Sequence, residues 1–418
     1  MNQINNNYDK MVKVSPIQTS KTSHAHNIVN KLPIGPKIIL INNRYQPVKI
    51  IGKGSFGKVY QSLDYLDSHK TVAIKIIHGG NECDNNDDNS YEREISFLNL
   101  IGKKDNIIEL KNSFTNGKYK CLVFEKADCC LRTFISHNNY FEPQMIKQFI
   151  SQICRGLYHI HSAGYIHSDL KPDNIVVFRT LNSFQLKIID FGCVRRINDI
   201  PIEYSSVYFT TRWFRSPEII LNHVSDINQS SDIWAVGCIL YQFITNKYLF
   251  TGLNNQDMLN WFQIFLGKIP HEILKKNSET FENYYITEDD EFYSNEEEEI
   301  INYNFYDNDL YIQDNLRNLK KISHEVNVEE TTSTFDYNLK SYLKNQLLFK
   351  YFPSNSVVSF ENIVQDSTLL YLLKNILLYN PYQRLNAADI LELLSSSTSS
   401  ESESSSEYSD NNCSESQS

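Results

Sequence analysis

The stretch YIHSDLKPDNIVV, residues 165–177, places a carboxylate, an amine and an amide at fixed offsets ahead of an apolar run. These three groups belong to Asp169, Lys171 and Asn174. A carboxylate can orient an attacking hydroxyl, a lysine can neutralise a transferring phosphoryl group, and an amide oxygen can help to hold Mg²⁺. Each residue alone is more often a cap or a surface group, so the interpretation depends on the motifs around this stretch.

The composition favours a globular protein with negative charge concentrated in one region. The chain has 418 residues, of which 41% are hydrophobic, and a formal net charge of −10. Residues 271–345 contain 18 acidic and 7 basic residues, which amounts to −11 in that region alone. Negative charge repels nucleic acid, so no nucleic-acid partner is expected. No run of 18 apolar residues occurs, so we predict no membrane span.

The N-terminus and the cysteines predict an intracellular protein. The first residues lack the apolar core of a signal peptide. The eight cysteines are scattered without the spacing of metal ligands, which favours reduced thiols in the cytoplasm or the nucleus. The sequence leaves the oligomeric state open.

The order of patterns along the chain predicts an α+β organisation with two lobes. Residues 45–125 contain short β-rich runs and one helical pattern, which indicates a small antiparallel lobe. Helical patterns dominate residues 126–394, apart from the acidic insert at about 271–345. Residues 1–44 are expected to form a flexible arm, and the Ser/Glu-rich residues 395–418 a disordered tail.

A glycine-rich segment, IGKGSFGKV, lies between two of the predicted strands. Glycines allow a β-turn to bring backbone N–H groups against phosphates without collisions from Cβ atoms. Three glycines also often make only a hairpin, so this segment alone is weak support. The residues assigned to ATP binding here are Ile51, Gly52, Lys53, Gly54, Ser55, Phe56, Gly57, Lys58 and Val59.

The next predicted strand contains VAIK, which ends in Lys75, and an acidic helix follows it. Ala73 is small enough for an adenine ring to lie on it, and a lysine held by a glutamate can bind the α- and β-phosphates. Glu94 and Glu92 are the candidate partners. Glu94 is preferred because Leu98 follows it one turn later on the expected core face. An exposed strand lysine is the alternative.

The sequence IIDFG supplies Asp190, which would hold Mg²⁺ together with Asn174. Five spaced motifs in this order resemble the eukaryotic protein kinase family over residues 45–394, apart from the insert. SPE, SDIWAVG and NPYQR are further matches. The resemblance implies a bilobal kinase fold, ATP and Mg²⁺ as cofactors, and transfer of the γ-phosphoryl group to protein Ser or Thr hydroxyls.

The resemblance also assigns roles outside the catalytic loop. Glu218 and Arg384 would form a buried ion pair that holds the helical lobe, and Asp232 is a further structural residue. The adenine would lie at a hinge whose backbone groups bond to it. The resemblance places this hinge and its neighbouring gatekeeper at Phe124, Glu125, Lys126 and Ala127.

The segment YFTTRWFRSPE resembles the CMGC group, which includes the mitogen-activated, cyclin-dependent, CLK/LAMMER and DYRK kinases. Tyr208 aligns with the activation-loop tyrosine of the mitogen-activated and DYRK families, and Ser206 stands where the former have threonine. Arg212 and Arg215 match arginines of the group. The resemblance implies that Arg215 could pair with a phosphate on Tyr208 through a bidentate fork.

Ser168 stands where many kinases have an arginine that pairs with a phosphate on the activation loop. DYRK and CLK/LAMMER kinases have a small residue there, so these branches are the nearest by resemblance. We therefore expect a basal activity that depends little on a separate activating kinase. The DYRK likeness also suggests autophosphorylation of Tyr208.

Two alternatives to a protein kinase are a catalytically inactive kinase-like scaffold and a small-molecule phosphotransferase. Inactive relatives usually lack the lysine or one of the two aspartates, and this chain has all three. RSPE and Arg384 favour protein substrates. The four glutamates at 296–299 of the acidic insert suit substrates that are basic or Arg-rich.

Overall fold

The computed structural model describes residues 40–54, 57–78, 90–199, 211–274 and 358–406. It divides into two units. The first unit holds the described residues up to Asp128 together with Asp190–Gly192, and the second holds the rest. The boundary after Asp128 lies close to the change of pattern at residue 126. No helix among these residues is both long and apolar enough to cross a membrane.

The first unit is an antiparallel sheet of five strands with one helix. The strand order is β1-β2-β3-β5-β4. The elements are β1 (Tyr45–Gly54), β2 (Gly57–Asp64), β3 (Lys70–His78), α1 (Ser90–Ile101), β4 (Leu110–Asn116) and β5 (Tyr119–Glu125). The predicted β-rich lobe with one helix is therefore confirmed in this unit.

Alternation along β3 separates a structural face from a functional one. Ile74 is fully buried in a small cluster with Tyr45 and Val123 on one face of the sheet. Because successive side chains of a strand point to opposite faces, Ala73 and Lys75 lie on the other face. The apolar packing on one side thus sets the direction of Lys75.

The last residues of the predicted arm, 1–44, are part of the described structure. Ile41 is 4% exposed and forms a backbone bridge with Tyr45. The two asparagines between them, residues 42 and 43, both have φ of 50°. Asparagine tolerates this left-handed conformation, so the pair forms a tight turn that returns Ile41 to the sheet. The expectation of a flexible arm up to residue 44 is wrong for residues 40–44.

The second unit is mostly helical with two small sheets. The helices are α2 (Leu131–Ser136), α3 (Pro143–Ser162), α4 (Pro217–Ile220), α5 (Ser230–Thr245), α6 (Asn255–Leu266), α7 (His271–Leu274), α8 (Ser367–Ile376) and α9 (Ala387–Ser406). The strands are β6 (Cys129–Cys130), β7 (Tyr165–Ile166), β8 (Ile175–Arg179), β9 (Phe184–Ile188) and β10 (Arg195–Arg196). They form an antiparallel sheet of order β6-β8-β9 and an antiparallel pair β7-β10.

Two long helices build the core that supports the catalytic stretch. α3 starts at Pro143, whose missing N–H costs nothing at a helix start, and Gly164 beyond its end has a φ of 81°. α5 is buried on every side from Ser231 to Phe243, as its continuous apolar pattern predicts. Gly237 lets α8 come close, because a Cβ atom there would lie 2.7 Å from the side chain of Ile376.

The insert was predicted to begin at about residue 271, and the structure differs at this boundary. Residues 271–274 form α7, and both Ile273 and Leu274 are buried, so they belong to the fold. After the insert, the backbone N–H of Val358 donates to the carbonyl of Ile264 on α6 at 2.8 Å. The rest of the predicted insert, 275–345, lies outside the described residues.

The helix α9 continues to Ser406, past the predicted start of the tail at residue 395. Serine hydroxyls can bond to carbonyls one turn back, so serine is tolerated in a helix although it does not favour one. Ser395 and Ser396 donate in this way to the carbonyls of Glu392 and Leu393. A fully disordered tail from residue 395 is therefore a wrong expectation for residues 395–406.

Candidate active site

The first unit contains a lysine held between two carboxylates. Nζ of Lys75 lies 2.7 Å from Oε2 of Glu94 and 2.7 Å from Oδ1 of Asp190. Glu94 is 1% exposed, whereas Glu92 is 57% exposed at its side chain and contacts Lys120 instead. The preferred partner of the two candidate glutamates is therefore the one in contact with Lys75.

The two carboxylates keep the lysine charged. Burial alone would lower the pKa of Lys75, but the charges and hydrogen bonds of Glu94 and Asp190 outweigh it and hold that pKa above its usual range. A lysine fixed as a cation in a partly buried place suits a polyphosphate.

The DFG segment packs on α1 within the first unit. Asp190 has a φ of 66°, a conformation that few residues other than glycine adopt. Phe191 is fully buried, and its ring lies 4.9 Å from that of Phe97. An η nitrogen of Arg93 donates to the carbonyl of Gly192 at 2.5 Å. Strained backbone held by such contacts is typical of functional sites.

The glycine-rich residues lie at the β1–β2 turn. Gly54 pairs with Gly57 at its end, and Gly52 pairs with Val59. Gly57 has a φ of 143°, and a Cβ atom there would lie 2.1 Å from the carbonyl oxygen of Ile76. No side chain can be placed at that point, so glycine is required. The predicted residues within the described turn are Ile51, Gly52, Lys53, Gly54, Gly57, Lys58 and Val59, while Ser55 and Phe56 lie outside the described residues.

The residues predicted to meet adenine are neighbours in the sheet. Ala73 on β3 lies opposite Phe124 on β5, and both are buried. Glu125 is the last residue of β5. Two residues later, the carbonyl of Ala127 accepts a hydrogen bond from the ammonium group of Lys126. The sheet register therefore places the small residue beside the predicted gatekeeper.

The second unit holds a catalytic-loop carboxylate in a network of donors. Nζ of Lys171 lies 2.6 Å from Oδ2 of Asp169 and 2.6 Å from Oγ1 of Thr211. Thr211 donates from its backbone nitrogen and its hydroxyl to Oδ1 of Asp169, each at 3.0 Å. Nδ2 of Asn174 donates to Oδ2 at 3.0 Å and to the Asp169 carbonyl at 2.8 Å. Both carboxylate oxygens are thereby fixed.

Thr211 is the contributor to this network that sequence reasoning missed. It lies 42 residues from Asp169, and no local spacing relates the two. The only available signal was its place directly before the Arg-Trp-Phe-Arg segment. This position shows only that the segment before the arginines is of interest. The hydrogen bonds to Asp169 identify Thr211 within it.

Asp232 fixes the backbone of the catalytic stretch by accepting hydrogen bonds from it. It is 2% exposed on α5 and accepts hydrogen bonds from the backbone nitrogens of His167 at 2.8 Å and Ser168 at 3.0 Å. Nε2 of His161 lies 2.9 Å from the same carboxylate. Ser168 has a φ of 70°, so these bonds fix a strained turn immediately before Asp169.

A small cavity lies beside Ser168. Its volume is about 20 Å³, which is room for about one water molecule. Asp169, Thr211 and Asp232 contribute to its wall.

The predicted ion pair of the helical unit is present and fully buried. Arg384 approaches Glu218 with both η nitrogens, at 2.8 and 2.7 Å, and Ser231 donates to the same carboxylate at 2.8 Å. Burial alone would raise the pKa of Glu218, but the charge and hydrogen bonds of Arg384 outweigh it and lower that pKa. The guanidinium also lies over the ring of Trp234, 5.0 Å from its centre.

The two arginines that match the CMGC group, Arg212 and Arg215, contact residues at or just before the start of α6. Arg215 is 6% exposed, and its Nη1 lies 3.4 Å from Oδ1 of Asn255. Nη1 of Arg212 donates to the carbonyl of Leu253 at 2.6 Å. The predicted phosphate acceptors Ser206 and Tyr208 lie outside the described residues, so pairing of Arg215 with a phosphate on Tyr208 stays a prediction.

Comparison with known proteins places these features in a family. The sequence model of the protein kinase domain family matches residues 45–394. The chain is 28% identical to serine/threonine-protein kinase prpf4B of Dictyostelium discoideum over 83% of the chain and 39% of that protein. It is 36% identical to mitogen-activated protein kinase 5 of Arabidopsis thaliana, over 54% of the chain and 60% of that protein. It is 30% identical to human cyclin-dependent kinase-like 5, over 57% of the chain and 24% of that protein.

The chain thus spans between 24% and 60% of the length of these relatives. Their names include two of the families within the CMGC group, in agreement with the resemblance of the activation segment. The nearer likeness to the DYRK and CLK/LAMMER branches stays a prediction. The matched region covers most of the chain, and the chain belongs to the protein kinase domain family.

Proposed function

We propose that this chain is an ATP-dependent serine/threonine protein kinase, which transfers the γ-phosphoryl group of ATP to protein hydroxyls. The observation that carries the proposal is the network that fixes Asp169 between Lys171, Asn174 and Thr211. Membership of the kinase family and the names of the relatives support it.

In this proposal Asp169 accepts a hydrogen bond from the substrate hydroxyl and directs its oxygen at the phosphorus atom. Lys171, whose ammonium group already lies at the carboxylate, neutralises charge on the transferring group. Such catalysis consists mainly of positioning and charge stabilisation, so a carboxylate with no rotational freedom is an advantage.

The lysine of the first unit binds the nucleotide. Lys75 contacts the α- and β-phosphates, and Glu94 keeps its ammonium group in place. Ala73 and Phe124 line the adenine position, and the backbone of Glu125 and Ala127 bonds to the base.

Mg²⁺ is the cofactor that the donor chemistry fits. Asn174 directs its amide nitrogen at Asp169, which leaves its amide oxygen as the atom for a cation. Asp190 offers a carboxylate, and hard oxygen donors of both kinds suit Mg²⁺. When bound, the metal would neutralise phosphate charge.

The test is incubation of the purified chain with labelled ATP, Mg²⁺ and a basic protein substrate. Asp190→Ala is the inactivating variant, and Asp105→Ala, an exposed aspartate of the same unit, is the matched control. We expect label on serine and threonine with the wild type and Asp105→Ala, and none with Asp190→Ala. Equal labelling by all three would remove the proposal and favour the alternative of an inactive scaffold with a contaminating kinase.

The preferred substrates are basic or Arg-rich proteins. The support is the net negative charge of the insert, since residues 271–345 contain 18 acidic and 7 basic residues. Opposite charge speeds the encounter of a substrate with the enzyme. Tyrosine autophosphorylation at Tyr208 is a further part of this proposal, supported by the likeness of the activation segment to the DYRK branch.

A further inference from the structure

A charged side chain of α1 donates to the backbone of the segment that carries the metal-binding aspartate. Nη1 of Arg93 lies 2.5 Å from the carbonyl oxygen of Gly192. Arg93 directly precedes Glu94, whose carboxylate contacts Lys75. Two neighbouring residues of one helix therefore hold two different groups of the candidate site. The proposed mechanism uses Glu94 and Lys75, and it leaves Arg93 without a role.

The bond from Arg93 lies at the end of the segment Asp190–Gly192 in the first unit. Gly192 is the last residue of this segment in that unit, because Cys193 already belongs to the second unit. The first turn of α1 packs against the same end, where a Cβ atom at Gly192 would lie 3.4 Å from the Cβ atom of Ser90. The hydrogen bond thus fixes the segment at the point where the chain leaves the unit.

The backbone of Asp190 needs such an anchor, because its φ of 66° is costly for a residue other than glycine. A strained conformation of this kind persists only where its surroundings over-determine it. Lys75 holds the carboxylate of Asp190 at 2.7 Å, but in the proposed function the same ammonium group also serves the phosphates. The bond from Arg93 to Gly192 is made to the backbone, so nucleotide binding leaves it in place. A hydrogen bond from a charged donor and one strained φ have free energies of the same order.

We propose that Arg93 is a positioning residue for the metal ligand, and that its bond to Gly192 keeps Asp190 in the backbone conformation that can hold Mg²⁺ beside the nucleotide. The inference rests on the proposed kinase function and adds a residue to it. It also divides the work of α1 between two adjacent side chains. Glu94 supports phosphate binding through Lys75, and Arg93 supports metal binding through Asp190.

The test measures binding of ADP to the full chain by calorimetry, once with excess Mg²⁺ and once with EDTA. The ratio of Kd in EDTA to Kd in Mg²⁺ is the contribution of the metal, and Asp190→Asn shows its value without the carboxylate. We expect Arg93→Ala to lower this ratio roughly tenfold, towards that of Asp190→Asn, which is the effect of losing one hydrogen bond from a charged donor. Its Kd in EDTA should stay the same, because Lys75 and Glu94 are both retained.

Three further variants separate positioning from general damage. Arg93→Lys keeps a charged donor and should restore part of the ratio, whereas Arg93→Gln keeps most of the length without the charge and should lower it. Lys104→Ala removes an exposed positive charge of the same unit and should change neither Kd.

An unchanged ratio in both Arg93→Ala and Arg93→Gln would overturn the inference. So would an equal loss of affinity with and without Mg²⁺, because it would mean that Arg93 supports the whole nucleotide site. A wild type that binds ADP under neither condition would contradict the proposed function itself, and the inference with it.

Discussion

The hydroxyl and the backbone nitrogen of Thr211 both lie 3.0 Å from Oδ1 of Asp169, although 42 residues separate the two in the sequence. Lys171 reaches both residues, with its Nζ 2.6 Å from each. Thr211 is therefore a positioning residue, because it holds one oxygen of the carboxylate while Lys171 and Asn174 hold the other.

Replacement of Thr211 tests this role directly. We expect Thr211→Ala to lower kcat roughly tenfold. This decrease is smaller than the one that follows removal of an oxyanion-hole donor, because the backbone N–H of residue 211 still donates to Asp169. KM for ATP should stay the same. Thr211→Ser keeps the hydroxyl and should restore most of the activity. Steady-state kinetics decide the matter, and a wild-type kcat in Thr211→Ala would rule out the positioning role.

Glu94 and Glu92 provide a matched pair on one helix. Glu94→Gln removes a charged partner of Lys75, whereas Glu92→Gln changes an exposed carboxylate that contacts Lys120. Hydrogen bonds to charged groups contribute about 1.5–3 kcal/mol, so KM for ATP should rise about tenfold or more in Glu94→Gln only. Equal KM values in the two variants would argue against an ATP-binding role for the pair.

The buried pair Glu218–Arg384 predicts a dependence of stability on pH. The folded-state pKa of Glu218 lies below its ordinary value of 4.5. A carboxyl with a lowered pKa gives stability that is complete above the ordinary pKa and is lost as the pH falls through the folded-state value. We expect Glu218→Gln to be less stable than the wild type by roughly 3 kcal/mol at pH 7.

The gap between Glu218→Gln and the wild type should narrow as the pH falls below 4.5. Urea unfolding at a series of pH values measures it, and Glu272→Gln, an exposed glutamate of the same unit, is the control. A gap of constant size between pH 7 and pH 3 would show that the charge of Glu218 is not what matters.

Ser168 predicts how the activity is controlled. Because no arginine stands there to couple a loop phosphate to Asp169, protein treated with a phosphatase should keep most of its activity. A variant with Ser206→Ala and Tyr208→Phe should behave in the same way. The measurement is initial rate before and after treatment. Activity that appears only after an upstream kinase has acted would contradict the prediction.

Ser168→Arg introduces the residue that many kinases have at this position. We expect the activity of this variant to depend more on loop phosphorylation than that of the wild type, because the new guanidinium group can pair with a loop phosphate. Ser168→Ala, which supplies no charge, is the matched control for the initial rate before and after phosphatase treatment.

The acidic insert is tested by replacing the four glutamates at 296–299 with alanine. We expect the preference for basic over neutral peptides to fall a few-fold at low ionic strength and much less at high salt, because charge attraction is screened. Alanine at Glu401, Glu403 and Glu407 removes charge from the C-terminal region instead and serves as the control. Unchanged peptide selectivity would end the hypothesis of an acidic docking surface.

Local patterns were enough to predict the elements that carry the site. The alternation in VAIK and the helical spacing after it led to Lys75 and Glu94, which lie only 19 residues apart. The continuous apolar run of α5 predicted a buried helix, and Asp232 lies on it. Where a short stretch fixes both the secondary structure and the direction of a side chain, sequence reasoning succeeded.

Contacts between distant segments could not be derived from local patterns, and the pair Glu218–Arg384 was predicted from the family resemblance alone. Thr211 meets Asp169 across 42 residues, and Arg132 meets Asp173 across 41. No periodicity relates such positions, because tertiary packing brings them together. The boundaries also failed for a physical reason. The serine-rich end of α9 has a weak local preference for a helix, so its extent could not be predicted from the sequence.

The hydrogen bond between Val358 and Ile264 has a consequence for protein engineering. Leu274 at the end of α7 is the last described residue before the insert, and Val358, the first described residue after it, bonds to Ile264 on α6. The described residues on both sides of the insert therefore belong to the second unit. A reporter domain or a short linker could replace residues 275–357 while Leu274 and Val358 are kept. This segment is therefore a suitable site for inserting a sensor domain or an affinity tag.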